Sequence, residues 1–220
     1  MSGASDRAYQ WIRSGILDGS LEPGRRLKEE ELAFLIGVSR TPIREAVRRL
    51  LNDGMAERLP GASAIAVAAF SSADIEDSFR LRGLLEAHAV SLAASRMNAE
   101  QLTRLQYLVD EMERLVNTGS KPKGYLDLNS EFHQVILAAS DSRRLAQLMP
   151  HVVELPIVMR TFDAYDQAAL QRSNYQHREL VAALQMRDAE WAAAVMRSHI
   201  TNAWHSWSRR QPAERLDIAG

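Results

Sequence analysis

Three histidines and one asparagine are spaced so that together they could hold a metal ion. Asn129 and His133 stand four residues apart in a stretch that reads as helix, so both side chains leave one face. His177 lies nine residues before Met186 and His199 eleven after Asp188. A Met186-Arg187-Asp188 turn joining two antiparallel helices would bring these two imidazoles to similar depth. Three imidazoles and an amide oxygen suit a borderline divalent cation, first Zn²⁺, with Ni²⁺ or Mn²⁺ as alternatives. Taken singly, each histidine is more often a core or surface residue than a ligand. His88, His151 and His205 share no such spacing and are assigned no role.

A different chemistry lies between Val38 and Gly54. Ile43, Ala46, Val47, Leu50 and Leu51 recur at i, i+3, i+4, i+7 and i+8, one apolar stripe of a helix. Arg40, Arg44 and Arg48 step by four along another face. Ser39 or Thr41 can cap the start, Pro42 is tolerated in the first turn, and Gly54 is a natural stop. Such a helix can rest on a core while its N-terminal arginines and threonine meet the base edges and phosphates of a DNA major groove. An isolated arginine ridge is more often a solvated face. The elements around this one favour the DNA reading.

Those elements must come from 220 residues that are 46% hydrophobic and 25% charged, enough for one large globular domain or two small ones. The net charge of −1 argues neither for nor against nucleic acid. Without cysteine there are no disulfides, thiolate nucleophiles or cysteine-ligated metals. No apolar run approaches a membrane span and the N-terminus lacks the regions of a signal peptide, so no membrane partner and a cytoplasmic setting are expected.

Residues 7–18 read as a helix in which Gly15 costs about 1 kcal/mol relative to alanine. A second helix covers 28–36, with Leu32, Ala33, Leu35 and Ile36 as its buried side. Gly37-Val38 then turns into the arginine-bearing helix, giving a helix-turn-helix. Residues 55–59 and 64–68, flanking Pro60-Gly61-Ala62-Ser63, predict a two-stranded wing. From Ser71 onward the pattern is helical. Helices are expected at about 74–96, with Ile75, Phe79, Leu81, Leu85, Ala89 and Leu92 inward, and at 99–117, 125–139, 142–163, 167–186 and 189–209. The fourth of these should break near Pro150 and Pro156, and 118–124 should be a loop. The expected fold is mainly α: an N-terminal winged helix-turn-helix over 1–70, an all-helical antiparallel bundle over 71–210, and a tail over 211–220.

Pro23-Gly24, Leu27, Glu31-Leu32-Ala33, the run from Gly37 to Val47, Leu50 and Gly54 resemble the winged helix-turn-helix domain of GntR-family bacterial transcription regulators. The resemblance implies that Arg40, Thr41 and Arg44 contact an operator, that Ser39 opens the recognition helix, and that Gly61 lies at the wing tip. A basic residue of the second helix also touches DNA in some members; the corresponding position here is Glu30. Asn129-Ser130-Glu131-Phe132-His133, the run from Gln176 to Leu184, and Met196-Arg197-Ser198-His199-Ile200 are similar to the three metal-ligand motifs of the FCD effector domain. That all-helical domain follows the GntR-type reader in the FadR subfamily. The segment Phe79–Glu86 is similar to its start, and the six-helix count resembles the VanR-like branch.

The metal set so implied is Asn129, His133, His177 and His199. The first position is usually Asp in the family; with Asn129 the ligands bring no negative charge, which weakens the metal site but leaves more attraction for an anion. One expectation is therefore that a small carboxylate completes the coordination, with Arg82 as a second, bidentate anchor. Arg82 paired with Glu86 on the next turn is the other. Together these residues imply a regulator and not an enzyme: a homodimer reading a palindromic operator, in the sense of a repressor, and responding to a small organic acid. The alternatives are a direct metal sensor, a bundle that only dimerises around a structural metal, and a histidine-site metal-dependent hydrolase using Glu131 or Glu179 as base.

Overall fold

The structure, a computed structural model, describes residues 3–61, 64–118, 124–153 and 165–209. The chain divides into two compact units, and the division falls between Ile75 and Glu76.

The first unit contains α1 (Ala4–Leu17), α2 (Glu29–Ile36), α3 (Arg40–Asn52), β1 (Ala56–Arg58) and β2 (Ile65–Val67). Its core gathers Ala8 and Ile12 of α1, Leu32 of α2, and Ile43, Ala46, Val47 and Leu50 of α3, with Leu21 and Leu27 from the connection. Each fully buried Leu, Ile or Val contributes about 1.5–3 kcal/mol of transfer free energy, so this small cluster is what aims α3. Helix α1 starts at Ala4, earlier than expected. Gly15 has a packing reason: a Cβ there would stand 2.9 Å from Leu21 Cγ and 3.1 Å from Ser20 Oγ, where the chain folds back over the helix end. Leu35 is a correction, because α2 turns it outward at 50% exposure while Leu32 fills the core. Gly37, with φ of 72°, ends α2 in the left-handed region and lets the chain re-enter a helix three residues later, at Arg40. Ser39 is the extended residue before α3, but its side chain makes no capping bond.

The wing strands are short and antiparallel, pairing Ala56 with Val67, Glu57 with Ala66 and Arg58 with Ile65. Their alanines have little β-propensity. The backbone of residues 24–27 supports β2 from its other side: Leu27 N–H donates to Ile65 O at 2.8 Å and Gly24 N–H to Val67 O at 2.9 Å. Gly61 at the turn has φ of 71°, which favours glycine. Ala62 and Ser63 of the expected wing turn lie outside the described residues.

The second unit is helical: α4 (Ser72–Arg96), whose first turn belongs to the first unit, then α5 (Ala99–Val116), α6 (Tyr125–Ala139), α7 (Arg143–Val152), α8 (Gln167–Gln185) and α9 (Ala189–Ser208). Polar side chains open most of them. Ser71 and Asp74 exchange hydrogen bonds at α4, and Asn98 with Gln101 forms a capping box at α5. Ser142, Asp166 and Asp188 accept from the N–H groups of Leu145, Ala169 and Trp191. Helix α4 departs from the expected inward set. Ile75, Phe79 and Ala89 are buried as expected, but Leu81 is 49% exposed, and Arg82, Glu86, Val90 and Ala93 share the buried face with Phe79. Helix α7 passes through Pro150 and ends two residues later, at Val152; its predicted continuation to 163 lies outside the described residues. Residues 119–123 of the predicted loop and the tail 211–220 lie outside them too. Among the described residues no helix is long and apolar enough to cross a membrane.

Candidate functional site

Three helices of the second unit deliver the histidines. Helices α8 and α9 form a hairpin whose turn is set by Arg187, with φ of 56°, and by the Asp188 cap. Arg187 also donates to the Ser95 carbonyl at 3.0 Å, fixing that corner to the end of α4. At the depth this hairpin dictates, the His177 and His199 rings are 4.6 Å apart between centroids. His133 of α6 completes the group, at 5.3 Å from His199 and 5.8 Å from His177. One nitrogen from each of the three lies within 4.8 Å of the others.

Both ring nitrogens of His177 and Nδ1 of His199 are buried with no hydrogen-bond partner among the described residues. A buried polar atom left unpaired costs roughly 1–3 kcal/mol, so these unpaired nitrogens, in a group of imidazoles that each bring one nitrogen within 4.8 Å of the others, are the mark of a missing partner. Burial, reinforced by the neighbouring imidazoles, holds His177 well below the usual histidine value and His199 down at about 3. Both are therefore neutral, the form that ligates a cation. The donor set fits a metal.

Beneath His133 lies a charged pair that histidine spacing alone does not reveal. Glu86 Oε2 is 2.6 Å from His133 Nδ1, an ion-pair approach that is out of line for an N–H···O bond. Glu86 Oε1 accepts from Arg82 Nε at 2.9 Å. Burial alone would raise the Glu86 carboxyl; its interactions with His133 and Arg82 outweigh it and hold the group well below the usual carboxylate range. A carboxylate therefore stands behind the triad, in the outer position that orients a metal-binding imidazole. Of the two readings of Arg82, the pair with Glu86 is the one present. The sequence signal for Glu86 was its place in the α4 stripe, four residues after Arg82 and four before Val90. Asn129 sits half-buried on α6, one turn before His133.

A cavity of about 290 Å³ opens beside the triad and has His199 in its wall. The rest of the wall is strongly polar, from Tyr165, Asp166, Arg172, Ser173 and Gln176 at the α8 side to Asn202, His205, Ser206 and Arg209 on α9. Gln176 Oε1 is also buried without a partner among the described residues. His205, given no role from sequence, thus belongs to this wall, while Arg82 does not. Trp204 and Trp207 stack on each other at 5.3 Å, and Phe79 packs on Trp204.

In the first unit α3 turns Ile43, Ala46, Val47 and Leu50 inward and leaves Arg40, Thr41, Arg44 and Arg48 exposed. Two of the arginines meet carboxylates of α2. Arg40 donates to Glu30 Oε1 at 3.0 Å and to Glu29 Oε2 at 3.3 Å; Arg44 Nε donates to the same Glu29 oxygen at 2.8 Å. Arg49 is engaged elsewhere, with Asp6 at 2.7 Å and over the Tyr9 ring.

Comparison with known proteins matches both halves. Residues 4–65 match bacterial regulatory proteins of the gntR family and residues 77–202 match the FCD domain. The chain is similar to the uncharacterized HTH-type transcriptional regulator YdhC of Bacillus subtilis strain 168, with 27% identity over 88% of this chain and 86% of that protein. It is similar to the HTH-type transcriptional repressor GlaR of Escherichia coli K12, with 28% identity over 87% of this chain and 90% of that protein. The solved structure of E. coli McbR/YncC has the same fold, with a TM-score of 0.74 at 24% identity, over 96% of this chain and 100% of that one.

Proposed function

The chain belongs to the gntR family of bacterial regulatory proteins and carries the FCD domain, and from that membership we propose that it is a homodimeric repressor whose helical domain binds a divalent metal and a small organic acid. Members of the family are DNA-binding transcription regulators, not enzymes, and usually act as dimers. A dimer reads two half-sites, so the operator is a palindrome. Arg40, Thr41 and Arg44 make the base and phosphate contacts, Ser39 opens their helix, and Gly61 shapes the wing tip. The similarity to GlaR, an HTH-type transcriptional repressor, supports that sign of regulation.

His199 carries the effector half of the reading, because the same ring belongs to the triad and to the cavity wall. His133, His177 and His199 would hold the metal, with Asn129 as the fourth side chain. Zn²⁺ suits three neutral imidazoles best. A metal held there would supply positive charge beside the polar cavity that His199 lines, and a carboxylate is the small group that would answer it. Arg172 replaces Arg82 as the second anchor in this reading, since Glu86 takes the Arg82 guanidinium. The acid shifts the protein between DNA-binding and released states only as far as it binds them with different affinity.

The test is a thermal-shift series with Zn²⁺, Ni²⁺ and Mn²⁺, followed by organic acids with and without a chelator. A ligand at a hundred times its Kd adds about 2.7 kcal/mol of stability. The expected result is an acid-dependent shift that needs the metal, and release of bound operator by the same acid. An equal shift after chelation would sink the metal-completed site. Release by metal alone would make the protein a direct metal sensor.

A further inference from the structure

Arg40 and Arg44 are held differently by α2. Arg44 uses Nε for Glu29 and leaves both terminal nitrogens without an acceptor among the described residues. Arg40 spends both terminal nitrogens, Nη2 on Glu29 and Nη1 on Glu30. The two carboxylates also differ. The Glu29 side chain is 30% exposed and receives both arginines on one oxygen, whereas that of Glu30 is 80% exposed and receives one. A guanidinium reads guanine through a pair of N–H groups aimed at O6 and N7. Arg44 presents such a pair while Glu29 grips it from behind. Arg40 does not until Glu30 lets go.

We infer that Glu29 is a positioning residue for base reading by Arg44, and that Glu30 is an internal competitor that DNA displaces from Arg40. An arginine has many rotamers, and an ion pair at Nε removes much of that freedom before the DNA arrives, which lowers the ordering cost of a specific contact. Glu30 acts in the opposite sense. Its surface pair is weak and easily exchanged, yet its charge opposes every phosphate equally, so it lowers affinity without reading sequence. The inference rests on α3 being the helix that enters the major groove.

The test uses the full chain and two surface variants, Glu29→Gln and Glu30→Gln. Each protein enriches sequences from a random duplex pool. The wild-type winner and a fixed unrelated duplex are then titrated by fluorescence anisotropy over a salt series. Glu30→Gln should enrich the wild-type sequence and bind both duplexes about two- to fivefold more tightly at low salt. Glu29→Gln should lose about tenfold of its preference for the winner and become degenerate at the base that Arg44→Ala also releases. A full-strength wild-type consensus from Glu29→Gln overturns the positioning role. Unchanged affinity in Glu30→Gln overturns the competitor role. If the wild-type protein enriches nothing, it is the DNA reading of α3 that fails, a separate result.

Discussion

The arginine face of α3 and the histidine triad of the bundle are both polar constellations, yet they are satisfied in opposite ways. On α3 the Arg40 and Arg44 guanidiniums are exposed and already paired with Glu29 and Glu30. Such surface pairs are worth roughly 0–1 kcal/mol, so they can be traded for phosphates or base edges without disturbing the fold. In the triad both ring nitrogens of His177 and Nδ1 of His199 are buried and lack hydrogen-bond partners among the described residues. Behind His133 stands the Glu86 carboxylate, so the unmet hydrogen-bonding capacity lies with His177 and His199. A face meant for a large charged partner keeps itself soluble with provisional partners. The histidines instead converge, one nitrogen from each within 4.8 Å of the others, where a cation could be held.

That contrast can be broken most sharply at His177, both of whose ring nitrogens are without partners. His177→Ala should abolish the metal-induced thermal shift and leave DNA affinity of the metal-free protein unchanged. A persistent Zn²⁺ shift in that variant would remove His177 from the site. Next in size, Glu86→Gln should weaken metal binding about 10- to 100-fold, as expected when an outer carboxylate is lost from a ligating histidine. The same change leaves Arg82 buried without its counter-ion, which costs about 3–5 kcal/mol of stability. Metal affinity should therefore be measured directly by titration; an unchanged affinity would reduce Glu86 to a partner of Arg82 alone.

On the exposed side, Arg44→Ala should cost about 1–3 kcal/mol of discrimination and erase operator preference at one base position. Competition binding between the enriched duplex and unrelated DNA reads this, and intact preference would show the recognition assignment to be wrong. The smallest effect is expected for Arg48→Ala, a turn further along α3. It should weaken all DNA binding similarly and reduce the slope of log affinity against log salt by about 1. A change of sequence preference in Arg48→Ala would instead put base contacts a turn deeper along the helix.

Much of the reader could be read from periodicity, because α3 is a short helix with one strong stripe on a local core. The apolar stripe at Ile43, Ala46, Val47 and Leu50 is buried as the spacing predicts. Periodicity misplaces residues where several helices compete for a face. Leu35 on α2 and Leu81 on α4 are apolar and point outward, while Arg82 and Glu86 are charged and point inward. The stripe on α4 is geometric: residues 79, 82, 86, 90 and 93 share a face whatever their chemistry, and the bundle accepts the charges because each finds a partner. The Gly15 penalty was a similar case, since its reason is the Leu21 side chain returning over α1.

Local sequence set the helices, their caps and the histidine spacing, since capping and helical period depend on neighbours within a turn or two. His133, His177 and His199 could be placed on three helices from periodicity, and His177 and His199 at similar depth from their spacing about the 186–188 turn. Their convergence within 4.8 Å, the Glu86 carboxylate behind them and the polar cavity beside His199 depend on how those helices pack. The engagement of Arg40 and Arg44 by Glu29 and Glu30 has the same origin, for it depends on the angle at which α2 meets α3. Such contacts join residues 10 to more than 40 positions apart, and no helical period reaches that far.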